Sequence, residues 1–483
     1  MGIVITIAIE SDDGHVAREK EVLRMDRGAD SAIAKAGLGL TLLEAKATLA
    51  AVQQEVVAAQ AKQIVMQSQV CPDCGALRKE KDSRHGVYRT LFGKLRLRSP
   101  RLLTCPCQGT HSRQSFSPLA DRLTARSHPE RVYLRTRWAS IVSYAAGRTL
   151  LDDILPIGAA LSCSSVRNAV RRIGQRMNEE ATVKADVDAE IDRATWARAH
   201  RVDGTPQLAV ERDAGYIRSN DRSEKGSRWF SATVARLVGI EGAGVCHGFG
   251  RQEISFPAAR LDRFLGQEGV GDGAAVAVIS DGGEDVLGAG YFHYRASQQL
   301  LDWFHIAMRF QPLWQALGPI DRATPGGLYT LSTGVESAKW RLWHYPPVSC
   351  LSKLRYLSRQ LESIPDGEAN TRITQLRLDL QHYLYRNERF LGDYANRHRA
   401  GLPISSGTTE STVNCVISKR FVKKQQMRWS PAGANALLQI RCAVLTSTRP
   451  SRGETKTAPI RRPSPPDYLN SVCVSMGCRE FIQ

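Results

Sequence analysis

Two sets of residues in this 483-residue chain have the types and spacing to hold metal ions. The first is Cys71-Pro72-Asp73-Cys74-Gly75, answered downstream by Cys105-Pro106-Cys107. Two thiolates either side of a short turn reach one tetrahedral ion, so this spacing predicts structural zinc. The second pair has a single intervening residue, an uncommon knuckle, and His111 is an alternative ligand. The other set is acidic: Asp213 in Asp213-Ala214-Gly215-Tyr216-Ile217-Arg218, Asp281 in Ser280-Asp281-Gly282-Gly283, and Glu410 in Glu410-Ser411-Thr412-Val413-Asn414. Carboxylate oxygens suit a hard cation such as Mg²⁺. An acid before glycine is also a turn former, and an acid in a helix's first turn also complements the helix dipole. Whether these acids do chemistry depends on the elements that carry them.

Composition narrows the partner. A formal net charge of +18 points to a polyanion, nucleic acid first and an acidic membrane surface second. The eleven cysteines are scattered apart from the one cluster, which suggests a reducing compartment and a metal clip. No apolar stretch approaches a membrane span. Met1-Gly2 formally matches a myristoylation start, but Ile3 to Ile9 reads better as a strand. A soluble, intracellular protein is expected.

Along the chain, 30–70 predicts a helix with Leu43, Ala47, Leu49, Val52, Val56 and Val57 as its stripe. That stripe suits packing on its own domain or on a second copy. Between the cysteine pairs, 87–92 and 94–97 flank Gly93 as a hairpin dressed with Arg89, Lys94, Arg96, Arg98 and Arg101. A helix at 139–151, a break at Pro156-Ile157-Gly158, and a helix at 164–177 capped by Ser164 or Ser165 read as a helix-turn-helix. Arg167, Arg171, Arg172 and Arg176 line its second helix.

Strands follow at 207–211, leading into Asp213, then at 229–238 and 244–249. A helix at 257–265 precedes a buried strand at 274–280 that ends at Asp281. Three strands, a helix and a fourth strand is the order of the ribonuclease-H-like α/β fold, in which the first and fourth strands are neighbours and carry acids. Asp203 rivals Asp213 as the first acid. In Leu301–Arg309, Asp302 and His305 are placed to meet, or His305 to contact a phosphate. Leucines and tryptophans from Trp340 to Leu384 predict a helical insertion. A helix starting near Thr408 or Thr409 then sets Glu410, Val413, Asn414, Ile417 and Phe421 on one side, with Glu410 aimed inward. Lys419, Arg420, Lys423, Lys424 and Arg428 behind it suit a phosphate backbone. Beyond Ser447 the Pro-rich polar tail is expected to be disordered.

The expected organisation is multidomain α+β. It comprises 1–68, strand and long helix; 69–112, zinc ribbon; 113–198, helix-turn-helix region; 199–309, first part of the core; 310–401, helical insertion; 402–447, second part of the core; and 448–483, tail.

With these motifs placed, the chain resembles insertion-sequence transposases of the DDE type. It is most similar to the ISKra family, relatives of the Mutator-like enzymes. The cysteine ribbon, Asp213–Arg218, Ser280–Gly283, Leu301–Arg309, Lys339–His344, Glu410–Asn414 and Lys423–Trp429 carry the resemblance, in family order over 38–445. It implies a catalytic triad of Asp213, Asp281 and Glu410 holding two Mg²⁺ or Mn²⁺ ions, and structural zinc on Cys71, Cys74, Cys105 and Cys107. It also implies DNA as partner, both terminal inverted repeats and target, bound by a dimer or higher oligomer in the cytoplasm at the nucleoid. Arg167, Arg171, Arg172, Arg176, His305, Arg309, Lys419, Arg420, Lys423, Lys424 and Arg428 would contact it. Family members usually carry Gly after the first acid, where Ala214 stands here. A catalytically silent DNA-binding regulator derived from such an enzyme is the alternative, and an RNA-acting nuclease of the same fold is a third reading.

Overall fold

A computed structural model describes residues 2–10, 16–26, 39–109, 114–123, 125–157, 161–182, 208–220, 228–239, 246–250, 264–266, 268, 270, 274, 276–283, 296–323, 330–362, 367–421 and 427–447. They fall into two compact units, one ending at Val170 and the other beginning at Arg171.

In the first unit, β1 (Gly2–Glu10) pairs antiparallel with β2 (Val16–Asp26). The sequence hid β2, because its run of charges shows no apolar face. Those charges have a use: Arg18 and Lys20 both bind Glu55, a buried acid on α1 (Leu42–Gln69). Helix α1 begins at a capping box in which Thr41 and Glu44 satisfy each other's backbone N–H. Of its predicted stripe Val57 is buried, while Leu43, Leu49 and Val56 stay exposed.

The hairpin β3 (Glu80–Thr90) and β4 (Gly93–Leu103) is longer than predicted on both arms, and β5 (Ser115–Phe116) adds a third strand. After α2 (Pro118–Arg122) come α3 (Pro129–Ile141), α4 (Tyr144–Ile154) and α5 (Cys163–Thr182), whose residues from Arg171 onward belong to the second unit. The single helix predicted over 139–151 is in fact two. Ser143 Oγ accepts from Ala146 N at 3.2 Å and starts a new helix there. Helix α5 is capped by Ser162 rather than Ser164 or Ser165, its Oγ accepting from Ser165 N at 3.1 Å.

The second unit is built on a five-stranded sheet: β6 (Leu208–Arg218), β7 (Trp229–Val238), β8 (Cys246–Gly250), β9 (Val276–Ser280) and β10 (Ala296–Leu301). Its order is β10-β9-β6-β7-β8. β6, β7 and β8 form an antiparallel meander, and β9 and β10 join in parallel on the other side of β6. The fourth strand thus lies beside the first. Every residue of β9 is buried, as a strand covered on both faces requires.

Alternation along the strands feeds two cores. Val210, Leu237 and Val276 pack with Phe264, Leu265 and Val270. Ala209, Ala277, Ile279 and Leu300 pack on the opposite face with α6 (Trp303–Ala323), α7 (Leu331–His344), α8 (Pro347–Leu361), α9 (Glu368–Arg386) and α10 (Tyr394–Arg399). Leu351, Leu354, Leu357, Leu380 and Leu384 are buried in that core.

Helix α11 (Gly407–Val413) runs into a π-helical turn at Asn414–Ser418 and a last turn at Lys419–Phe421. It lies so close to β6 that a Cβ on Gly215 would fall 2.9 Å from Ile417 Cδ1. Helix α12 (Pro431–Ser447) covers β8 and supports the π turn, Arg441 Nε donating to Val416 O at 2.7 Å. No described helix is long and apolar enough to cross a membrane. The predicted tail and nearly all of the predicted helix at 257–265 lie outside the described residues.

Candidate metal centres

The sulfurs of Cys71, Cys74, Cys105 and Cys107 all lie within 4.8 Å of one another. Local turns bring them there. Gly75, at φ 72°, closes the first turn with its N–H on Cys71 O. The unusual second pair works because Cys105 precedes, and Cys107 sits within, a 3₁₀ turn closed by Gly109 at φ 70°. Gln108 Nε2 reaches Asp73 Oδ2 at 2.8 Å and ties one turn to the other. Sulfur separations of 3.5 Å (Cys71–Cys107) and 3.4 Å (Cys74–Cys105) leave four free thiols close enough to share one ion, a donor set that fits zinc. Burial alone would raise the Cys71 thiol, but the backbone N–H groups of Cys74 and Asp73 and the neighbouring thiols outweigh it, bringing Cys71 down to about 7. Cys107 is pushed up, first by its hydrogen bond with Cys74 and then by that with Cys105. His111 lies outside the described residues.

The second centre is made by strand register. Glu211 on β6 pairs with Ile279 on β9 in parallel, so two residues further on Asp213 and Asp281 come level. Asp213 does not end its strand as predicted. β6 continues to Arg218 against β7, while β9 stops at Ser280, one residue before Asp281. Asp281 Oδ1 accepts from Gly283 N at 2.9 Å across a turn that needs Gly282. At φ 80°, a Cβ on Gly282 would fall 2.7 Å from both Asn387 Oδ1 and Leu301 Cδ1.

His305 enters from the first turn of α6. Its Nδ1 lies 2.7 Å from Asp302 Oδ2, so Nε2 is the ring nitrogen that could serve as a ligand. Asp302 is fully buried, accepts from Phe304 N at 2.8 Å, and receives the Ser406 hydroxyl from the segment entering α11. Burial opposes its ionisation, but the His305 and Ser406 hydrogen bonds outweigh that and hold the carboxyl below its ordinary range. His305 is raised, first by that hydrogen bond and then by the charges of Asp302, Asp281 and Asp213.

Asp213, Asp281 and His305 each offer a ligand atom within 4.8 Å of the others. Burial raises the Asp213 carboxyl; the charges of Asp281 and Glu410 raise it further, against the Ala214 N–H and His305. An acid crowded by other acids in a half-buried site is one that a divalent cation would relieve, and this oxygen-and-imidazole set fits such an ion.

Glu410 stands apart from this group. It is exposed on α11, near enough for its charge to act on Asp213, but not aimed inward as predicted. The inward residues are Thr409, Thr412 and Val413, then Val416, Ile417 and Phe421. Asn414 is exposed as well: the buried face keeps regular helical spacing but begins at Thr409, one residue before the predicted stripe. Sequence reasoning also missed Glu211. Two residues before Asp213 and on the same face, it is buried and accepts from Thr409 Oγ1 at 2.7 Å, pinning α11 to β6. An acid in step with Asp213 in a mostly apolar strand was the available signal.

Among the predicted cations, Arg167, Arg171 and Arg172 are exposed on α5, and Arg176 pairs with Glu180 at 3.4 Å. Lys419 and Arg428 are exposed, and Arg309 lies 4.7 Å over the Tyr383 ring. Arg420, expected to face solvent, is buried with its guanidinium 5.1 Å from the Trp429 ring, because Trp429 returns to hydrogen-bond Arg218 on β6. Lys423, Lys424 and Asp203 lie outside the described residues.

No family model matches the chain, and no curated protein matches it. Among solved structures it is similar to the Drosophila P element transposase strand transfer complex, at 11% identity and a TM-score of 0.31, over 67% of this chain and 93% of that one.

Proposed function

We propose that this chain is a transposase of the DDE type, cutting and joining DNA at a metal centre formed by Asp213, Asp281 and Glu410 with His305 beside them. The observation that carries the reading is the meeting of Asp213, Asp281 and His305 from two neighbouring strands and a helix. The sheet order agrees with the ribonuclease-H-like core expected from the sequence, and the motif resemblance to the ISKra family gives the reaction class. When bound, divalent ions would activate the attacking hydroxyl and stabilise the departing oxygen.

The chain's own residues do the rest. Asp213 and Asp281 hold their positions through backbone N–H groups, leaving further oxygen lone pairs for ligation. Asp302 fixes the His305 ring and, through Ser406, the start of α11, so one buried carboxylate orients two arms of the site. Glu410 would complete the ligand set by turning its exposed side chain over the acids. The cysteine ribbon, closed by zinc, and the exposed arginines of α5 would hold the element's ends. Lys419, Arg428 and the Lys423/Lys424 pair would hold the strand, with two or more copies needed to bring two ends together.

The position of Glu410 outside the three-residue group is what favours the second reading, a DNA-binding regulator without chemistry. A nicking assay on the DNA that flanks the coding region separates them. Wild type should nick in Mg²⁺ or Mn²⁺, while Asp281→Asn and Glu410→Gln bind the ends but cut at least about 100-fold more slowly. Binding without nicking by wild type favours the regulator, and full cleavage by either variant removes the assigned triad.

A further inference from the structure

The helices after α6 pack largely as a leucine core, yet one of them reaches the acidic centre. A cleft of about 350 Å³ opens on the Asp281-Gly282-Gly283 turn and is walled by Arg309, His382, Tyr383 and Arg386. Its wall is fixed to the acid itself. Tyr383 donates its hydroxyl to Asp281 O at 2.9 Å, and its ring supports the Arg309 guanidinium at 4.7 Å. Asn387, the residue against which Gly282 is packed, is buried and donates Nδ2 to Tyr383 O at 2.9 Å. His382 and Arg386 stand four residues apart, on one face of α9.

Two guanidiniums, Arg309 and Arg386, stand with the His382 ring against two carboxylates, Asp281 and Asp379; with Asp281 committed to a metal ion, the rest of the cleft favours an anion. It begins where Asp281 ends, so an anion in it lies directly beside whatever that acid's metal ion engages. Guanidinium donors in a fixed plane are suited to phosphate oxygens.

We infer that this cleft binds the phosphate next to the reacting one on the cleaved strand, with Arg309 and Arg386 as its donors, so that α9 helps to set where the strand is cut. The inference rests on the transposase reading and deepens it: the helical region between the acids becomes a part of the substrate site.

The test uses the full chain and oligonucleotides from the flanking DNA, each with one phosphate near the cut made an uncharged methylphosphonate. For wild type, neutralising the adjacent phosphate should slow cutting about 10–100-fold. Arg386→Ala should slow cutting of the unmodified strand by a similar factor, lose sensitivity to that one neutralised position, and retain Mn²⁺ binding. Arg309→Lys, which keeps the charge but not the planar fork, should fall between. Independent, multiplying penalties for Arg386→Ala and the neutralised phosphate would overturn the inference. So would cutting by Arg386→Ala at the wild-type rate. A wild type that cuts none of the substrates removes the proposed function itself, and the inference falls with it.

Discussion

The two candidate metal centres reach their geometry by opposite routes. The cysteine cluster comes from two short turns at the base of one hairpin, and all four of its ligands belong to the protein. The acidic centre draws Asp213, Asp281 and His305 from two strands and a helix far apart in sequence, and Glu410 is exposed on α11 outside that group. Soft thiolates select zinc, whereas carboxylates and imidazole take harder or intermediate ions. A structural ion can be enclosed by local turn chemistry. A site that must admit substrate oxygens has to be left incomplete, and holding an incomplete site in place demands tertiary structure.

That contrast can be broken at either end. The largest effect is expected from Cys71→Ser. Structural zinc supplies roughly 10–16 kcal/mol of apparent binding energy in isolated zinc-finger peptides, and folding is linked to it. Metal analysis should find zinc well below one per chain, and circular dichroism should show a lost thermal transition, with Mn²⁺ binding at the acids retained. Full zinc content in this variant would refute the cluster. Gly282→Ala should cost about 2–4 kcal/mol in denaturant unfolding, since its methyl meets Asn387 and Leu301 at a positive φ. A cost below about 0.5 kcal/mol would show that the Asp281 turn is not held as described. The smallest effect is expected from Thr409→Val. It removes the hydroxyl bonded to Glu211 and should cost roughly 1 kcal/mol, with a loss of cleavage greater than the loss of end binding. Equal losses would show that α11 does not position Glu410.

What the sequence revealed follows the same division. The cysteine spacing, the alternating hairpin, the apolar β9 and the leucine periodicity of α8 and α9 are local signals, and each was readable. The meeting of β6 and β9 was readable from the order of elements, because few topologies suit it. The features that depend on distant partners were not. Nothing around Val16–Asp26 announces a strand whose cations bind an acid on α1. Ser143 and Ser162 could each have been an ordinary surface serine, since capping is decided by where the chain turns. Thr409 and Thr412 take the buried face of α11 where Glu410 and Asn414 were expected, and the partner that draws Thr409 inward is Glu211 on β6, distant in sequence. The Asp302–Ser406 contact joins residues 104 positions apart.

The proposed site requires Asp213 and Asp281 together to hold a divalent ion distinct from that of the cysteines. Calorimetric titration of Mn²⁺ into zinc-loaded protein tests it most directly. Wild type should bind Mn²⁺, and Asp213→Asn and Asp281→Asn should each weaken that binding at least about tenfold while zinc content stays at one per chain. Unchanged Mn²⁺ affinity in both variants would rule out ion binding by this pair of acids.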